Sequence, residues 1–499
     1  MVFIGDKPTA IYAKSMMQPQ PITPINGSLH LTDSLWHPEI TAFLPQQELT
    51  VVSGHADSIA YCARKTDRGM IFFILNQQAA GQTLTLDLDC MGEAQRWNAM
   101  TGTIRPLSSS VVDNKTRLSL PLEAWGSAIV VVTKRTAEYN VRKYKSIQAA
   151  IDQAHADGGG TVVIPPGKHR TGALFFTRGV DLRLEKGSRL ISITDTTLYP
   201  IVDTRWEGTM LKGRAALLNF CHNDGCRISG EGLIDAQGLK WKKKKIGFTD
   251  RPRTICLDHC DGGQISGVSI LNQAFWCLHI LFTNHFTVDG ISICAEDYIP
   301  SSDGIDIDSS TDITVRNTHI KAHDDCISIK SGKDMDGRRV NKASEHILVE
   351  DCFFDYGHGG VAIGSEVSGD VRHVVVRRCQ MDGENWNPIR FKSQPSRGGV
   401  VEDVCFEDIH IGNARNVFEI NMTWRMKGAT QPPYHPLTTL RNITFRNIFA
   451  NAQHAGHIKG FDEQPFGRDV FTFDNCHLKV GTPLHVEDAD IDQSGIVYE

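Results

Sequence analysis

Short runs in which apolar and polar residues alternate dominate the chain. Between about 45 and 135 they are Leu49-Thr50-Val51-Val52, Met70 to Leu75, Leu84-Thr85-Leu86-Asp87-Leu88, Arg117-Leu118-Ser119-Leu120 and Ala128 to Val132, with turn residues between them. A period of two puts every second side chain on one face. Strands at this spacing predict a small antiparallel β-sandwich. One segment has a helical period instead. Ile147, Ala150, Ile151 and Ala154 share a face, Ser146 can cap it, and Gly158-Gly159-Gly160 ends it.

From there the chain repeats itself. The segments FTVDGISI (286–293), ITVRNTHI (313–320), ILVEDCFF (347–354), VVVRRCQM (374–381), VCFEDIHI (404–411), ITFRNIFA (443–450) and FTFDNCHL (471–478) start 27, 34, 27, 30, 39 and 28 residues apart. An earlier copy, GQISGVSI (263–270), begins 23 residues before the first. The third position is always apolar: Ile265, Val288, Val315, Val349, Val376, Phe406, Phe445 and Phe473. The sixth is Val268, Ile291, Thr318, Cys352, Cys379, Ile409, Ile448 and Cys476, with Asp, Asn and Gly between the two. Such a period signals a solenoid. The units are too short for paired helices and mostly too short for four-stranded propeller blades, so the pattern predicts a parallel β-helix. The third and sixth positions then form ladders inside the tube, and the helix after Ser146 covers the bare edge of the first coil. The organisation read from this is a leader over 1–25, rich in Pro, Gln and Met, a β-sandwich over 26–135, and a β-helix over 136–499.

Composition narrows the functions. With 52 Lys+Arg against 58 Asp+Glu the formal net charge is −6, which excludes a globally basic nucleic-acid binder. No apolar run approaches the roughly 18 residues of a membrane helix, and MVFIGDKPTA lacks the basic start and apolar core of a signal peptide. The 13 cysteines are an odd number without C-x-x-C pairs, so they read as buried free thiols, not a disulfide framework or zinc site.

Four polar clusters break the repeat on neighbouring coils. They are Ser301-Ser302-Asp303-Gly304-Ile305-Asp306-Ile307-Asp308, His323-Asp324-Asp325-Cys326-Ile327-Ser328-Ile329-Lys330, Gly357-His358-Gly359-Gly360 and Ile389-Arg390-Phe391-Lys392. Asp303 to Asp324 is 21 residues, Asp325 to His358 is 33 and His358 to Arg390 is 32, each close to one coil, so all four can share a face. Like charges raise one another's pKa, which suits a general acid beside ionised bases. Inverting glycoside hydrolysis needs such carboxylates roughly 6.5–9.5 Å apart. Arg390 and Lys392 point the same way by alternation and suit an acidic sugar. Taken singly, Asp-Gly-Ile-Asp is also a polar turn, Asp324-Asp325 a calcium site or capped turn, His358 a loop histidine, and Arg390 with Lys392 a solvated face.

Together the four clusters resemble the signatures of the polygalacturonase family, glycoside hydrolase family 28. The family's Asn-Thr-Asp, Gly/Gln-Asp-Asp, Gly-His-Gly and Arg-Ile-Lys read here as Ser301-Ser302-Asp303, His323-Asp324-Asp325, Gly357-His358-Gly359 and Arg390-Phe391-Lys392. Ser301 stands where the family has Asn, His323 where it has Gly or Gln, and Phe391 where it has Ile. The resemblance covers roughly 137–480. It implies a right-handed, pectin-lyase-like parallel β-helix and hydrolysis of α-linked galacturonic acid in pectin, with inversion. It makes Asp324 the general acid, has Asp303 and Asp325 activate the water, and puts His358 beside the acid. Arg390 and Lys392 bind the galacturonate carboxylate, and Ser301 and His323 also face substrate. No metal or cofactor is implied. Lys330-Ser331-Gly332-Lys333-Asp334-Met335-Asp336-Gly337 and Gly364-Ser365-Glu366 resemble bacterial exo-acting or rhamnogalacturonan-directed members, and the family implies a periplasmic or secreted protein. A pectate or rhamnogalacturonan lyase, or a non-catalytic carbohydrate-binding β-helix, is the alternative.

Three further features stand outside the motifs. Tyr61-Cys62-Ala63-Arg64-Lys65, Trp97-Asn98-Ala99-Met100-Thr101-Gly102 and Trp125-Gly126-Ser127-Ala128 resemble the closing β domain of bacterial α-L-rhamnosidases. The basic run Lys240-Trp241-Lys242-Lys243-Lys244-Lys245 is an exposed loop or a steering patch for a polyanion. Among the tryptophans, Trp206, Trp276 and Trp424 are read as packing residues, and Trp386, four residues before Arg390, as a sugar-stacking position.

Overall fold

The structure is a computed structural model that describes residues 48–499, apart from 67–68, 100–101, 245, 248–249, 297, 383–384 and 426–430. The expected leader over 1–25 and the start of the expected sandwich, 26–47, lie outside the described residues.

The alternating runs form two antiparallel sheets. Ile104–Pro106, Glu93–Trp97, Ser127–Thr133, Gly69–Asn76 and Ile59–Thr66 make one, and Ser109–Val112, Lys115–Leu122, Gln82–Leu88 and Leu49–Ser53 the other. Phe72, Ile74, Leu84, Leu86, Leu118, Leu120, Val130 and Val132 meet between them, so the alternate apolar positions are the buried ones. Charged side chains fasten this sandwich to the tube. Arg178 pairs with Asp89 at 2.5 Å, and Lys134 reaches Asp181 and the Gly225 carbonyl, both at 2.7 Å.

The α-helix Ile147–Ala156 starts at Ser146, whose hydroxyl accepts from the Ala149 amide at 3.1 Å. Its buried face is Ile147, Ala150, Ile151 and Ala154, packed in one core with Val162, Val180 and Leu182 of the first coils. From Glu138–Asn140 to Ile496–Tyr498 the tube is one 29-stranded sheet of parallel pairs, in which each strand meets its counterpart one coil later. The third repeat position runs in unbroken register as Ile265, Val288, Val315, Val349, Val376, Phe406, Phe445 and Phe473. All eight are buried, as are the sixth-position residues from Val268 to Cys476.

The polar residues between the ladders have a backbone cause. The fifth repeat position is left-handed in every copy: Gly267, Gly290, Asn317, Asp351, Arg378, Asp408, Asn447 and Asn475 have φ between 49 and 72. Glycine, asparagine and aspartate tolerate that region best. Arg378 is the exception, and its guanidinium is anchored to Asp351 by two bonds of 2.8 Å.

All thirteen cysteines are unpaired, and most are buried. Among the described residues no helix is long and apolar enough to cross a membrane.

Candidate active site

The site is built on four neighbouring strands of the tube: Ile305–Asp308, Asp325–Lys330, Gly359–Ile363 and Asn387–Lys392. Their inward residues, Ile305 beside Ile327, Val361 and Ile389, and Ile307 beside Ile329, Ile363 and Phe391, are fully or almost fully buried and hold the strands in register. Alternation therefore sends Asp306, Asp308, Ser328, Lys330, Arg390 and Lys392 outward onto one face. The four clusters lie on consecutive coils.

Asp303 precedes the first strand, and the amide of the next residue, Gly304, donates to the Asp325 carbonyl at 3.0 Å. One oxygen from each of Asp303, Asp324 and Asp325 falls within 4.8 Å of the others. That is closer than the 6.5–9.5 Å expected of an inverting pair. The reason is chain geometry: Asp324 and Asp325 are sequence neighbours, and Asp303 is one rung away, about 4.8 Å.

The three carboxylates differ sharply in surroundings. Asp325 is 1% exposed and has a cation on each oxygen, Arg390 Nη1 at 3.0 Å and Lys392 Nζ at 2.6 Å. Burial works against its ionisation, yet Lys392, Arg390 and Lys330 outweigh it and hold its carboxyl well below the usual carboxylate range. Asp303 goes the other way: burial, then the charges of Asp306 and Asp324, push its acid well above that range against Lys330. Asp306, fully buried with neither oxygen hydrogen-bonded, is also driven well up by burial, and Lys330 at 3.6 Å offsets this only in part. Asp324 keeps contact with solvent, accepts from the Asp325 amide at 3.1 Å, and lies 3.7 Å from His358 Nδ1.

Of the expected substrate residues, Ser301 and His323 stand two residues before Asp303 and one before Asp324. Ser301 takes a left-handed φ of 57, and the hydroxyl of the adjacent Ser302 accepts from the His323 amide at 3.3 Å. The His323 ring meets Tyr298 and Tyr356 edge-on, at 5.7 and 5.1 Å. Lys242, from the basic run, lies over Tyr298 at 5.0 Å and donates to its carbonyl at 2.6 Å. That run is a short helix, Gly238–Lys243, with Trp241 buried beneath it. Trp386 is 43% exposed and its ring sits 4.7 Å from His358. Trp424 departs from its expected packing role, because it lies under the cations, 4.5 Å from the Arg390 guanidinium and 5.8 Å from the Lys392 ammonium.

Several site residues escaped the motif reading. Lys330 touches Asp306 at 3.6 Å and Glu366 at 3.4 Å and lies 4.9 Å over Trp276. The alternation Ile327-Ser328-Ile329-Lys330 contains the signal for its outward direction. The hairpin of Ile201–Trp206 and Thr209–Arg214 carries no such signal, yet it covers the floor on one side. Its Arg205 is fully buried on Asp308 at 2.9 Å, and its Trp206 stacks on Phe275 at 4.0 Å. Among the described residues two groups have ligand-type geometry for a cation: the three aspartates above, and His457, His485 and Glu487, which lie four and five coils further along the tube. At the first, Arg390 and Lys392 already neutralise Asp325, which leaves little charge for an ion to balance.

The chain shares 26% identity over 342 residues with a probable polygalacturonase of Vitis vinifera, covering 66% of this chain and 69% of that one. It shares 26% over 319 residues with an exopolygalacturonase of Zea mays, covering 61% and 72%. Among solved structures it is similar in fold to the hyperthermoactive exopolygalacturonase from Thermotoga maritima, with TM-score 0.64, 24% identity, and 72% and 93% of the two chains covered. The family 28 exopolygalacturonase of Yersinia enterocolitica aligns with TM-score 0.57 at 15% identity, over 87% and 99%. The model of glycosyl hydrolases family 28 matches residues 187–487, the stretch that contributes every coil of the site, and this chain belongs to that family of glycoside hydrolases.

Proposed function

We propose that the chain removes galacturonic acid from the ends of pectic chains by hydrolysis. The observation that carries this is the group of Asp303, Asp324 and Asp325 set against Arg390 and Lys392, on a floor the 201–214 hairpin closes at one side. Cations beside the acids suit an acidic sugar, and Arg390, Lys392 and the Trp424 ring beneath them form its seat. A closed floor admits a chain end and stops a chain passing through. Asp324, the member open to solvent, gives its proton to the glycosidic oxygen. Asp303 and Asp325 hold a water at the anomeric carbon, and Asp325, the ionised one, takes its proton as the C–O bond forms. The leaving sugar departs with Asp324's proton, and exchange with solvent restores both acids.

The short spacing of the carboxylates alone would suit a covalent, retaining route. That route needs a carboxylate free to bond the anomeric carbon. Asp325 has both oxygens held by cations, so we assign inversion through water. The described residues of the sandwich carry no catalytic grouping, and it is read as an accessory domain. A polymeric pectic substrate places the protein's work in the periplasm or outside the cell.

The test uses saturated oligogalacturonides and rhamnogalacturonan fragments, with and without chelator, on parent and Asp324→Asn. Saturated galacturonic acid released from the outset by the parent alone, with the inverted anomer first by NMR, is the expected result. Unsaturated products lost on chelation would replace the hydrolase reading with a lyase. Binding without turnover in the parent would replace it with a carbohydrate-binding role.

A further inference from the structure

The closing hairpin turns through two residues, Glu207 and Gly208, with φ of 42 and 75. A two-residue turn with both φ positive favours Asn-Gly or Asp-Gly, whose short side chains tolerate the left-handed region. Glutamate brings no such advantage, so the turn itself does not account for it. The tip is also firmly fixed. The Lys333 amide donates to the Gly208 carbonyl at 2.9 Å, and the Met210 amide donates to Asp336 at 2.9 Å. A Cβ at Gly208 would lie 2.7 Å from that of Lys333 and 2.8 Å from Glu366 Cγ, so the turn is pressed against the wall of the site.

Glu207 is held there half-buried, and its carboxyl makes no hydrogen bond or ion pair with the described residues. Burial, then the charge of Glu366, pushes its acid above the usual range, Lys333 and Lys330 pull it back, and Asp324 adds a last push. The turn meets Glu366, Glu366 meets Lys330 at 3.4 Å and Lys330 meets Asp306 at 3.6 Å, so Glu207 stands at the edge of the acidic site. Behind it, Arg205 and Trp206 fill the floor over the preceding coils. A sugar seated between Asp324 and the hairpin therefore directs its far end at Glu207.

We propose that Glu207 is a specificity-determining residue that hydrogen-bonds the free 4-hydroxyl of the terminal non-reducing galacturonic acid. An internal residue carries the next sugar on that oxygen and is refused. This deepens the end-acting hydrolase reading and rests on it.

The test compares parent, Glu207→Gln and Glu207→Asn on trigalacturonate and on the same trimer lacking the 4-hydroxyl at its non-reducing end. Asparagine suits the turn but is shorter, so Glu207→Asn keeps or raises Tm while withdrawing the contact. The parent is expected to favour the hydroxylated trimer by about 30-fold in kcat/KM, the scale of one hydrogen bond to a charged group. Glu207→Asn should cleave both trimers alike, at the parent's rate on the deoxy form, and Glu207→Gln should fall between. A folded Glu207→Asn that retains the parent's preference overturns the assignment while leaving the hydrolase intact. A parent that releases nothing from either trimer defeats the hydrolase reading and this inference with it.

Discussion

Two ladders run side by side along the sheet that carries the site, offset by one residue and facing opposite ways. The inner one is Ile280, Ile307, Ile329, Ile363, Phe391, Ile420, Ile458 and Val486. The outer one is His279, Asp306, Ser328, Ala362, Arg390, Glu419, His457 and His485. Inside, each rung repeats the last, because branched apolar side chains stacked at rung spacing exclude water and fill space. Outside, every rung from Asp306 to Glu419 differs from its neighbours. A repeated aspartate there would stack like charges about 4.8 Å apart at buried positions, at a cost no single lysine offsets. The candidate catalytic groups lie where the repeat is broken on one face while the other maintains it.

The comparison can be broken at several points, the largest effect first. Asp324→Asn should lower kcat by about 10³-fold, within the usual span for a general acid. Tm should stay put, since Asp324 is partly solvated, its one ion-pair partner among the described residues is His358 at 3.7 Å, and asparagine can still accept from the Asp325 amide. A kcat within tenfold of the parent would remove Asp324 from the acid role. Lys392→Met strips one cation from the buried Asp325 and should destabilise by about 3–5 kcal/mol in chemical denaturation. Adding Asp325→Asn should recover most of that, and no recovery would mean that the loss is one of packing, not of charge.

Ile307→Ala tests the inner ladder. It should cost about 2–5 kcal/mol of stability and leave kcat unchanged at temperatures where the variant is folded. A kcat loss without a stability loss would show that the two faces are not separable. The smallest effect concerns Asp306. Its acid is raised in the folded protein, so the native state binds that proton more tightly than the unfolded chain does. Its contribution is thus complete below the ordinary carboxylate range and declines as pH climbs through the folded value. Between pH 4 and 7 the parent should lose about 2 °C of Tm relative to Asp306→Asn. Parallel Tm profiles would show that Asp306 does not carry this proton.

A second inward ladder, the third repeat positions from Ile265 to Phe473, was legible from sequence because a repeat announces itself: these apolar residues recovered the register of eight coils residue for residue. The helix was equally open, with its cap, buried face and glycine stop all local. Motif order and coil spacing were enough to expect Asp303, Asp325, His358 and Arg390 on one face. The distribution of protons among the acids was not legible. It depends on which carboxylate meets Arg390 and Lys392, and that pairing crosses 65 and 67 residues of chain. Nor was the closing hairpin, whose Arg205 meets Asp308 across 103 residues with no repeat to flag it. The Trp424 contact was hidden for the same reason: a lone tryptophan in a loop reads as packing until the cations above it are placed.

The outer ladder does not stop at the site. Past Arg390 it continues as Glu419, His457 and His485, and the parallel column that holds Lys392 continues as Asn421, Lys459 and Glu487. Groove length beyond the acids is therefore a countable, modular property of this architecture. Each added or deleted coil changes it by one rung, about 4.8 Å, roughly a sugar's length. A coil spliced in after Asn421 extends the track for the departing chain while leaving every residue from Asp303 to Lys392 in its own register. Reach and chemistry in such a protein are separate engineering variables.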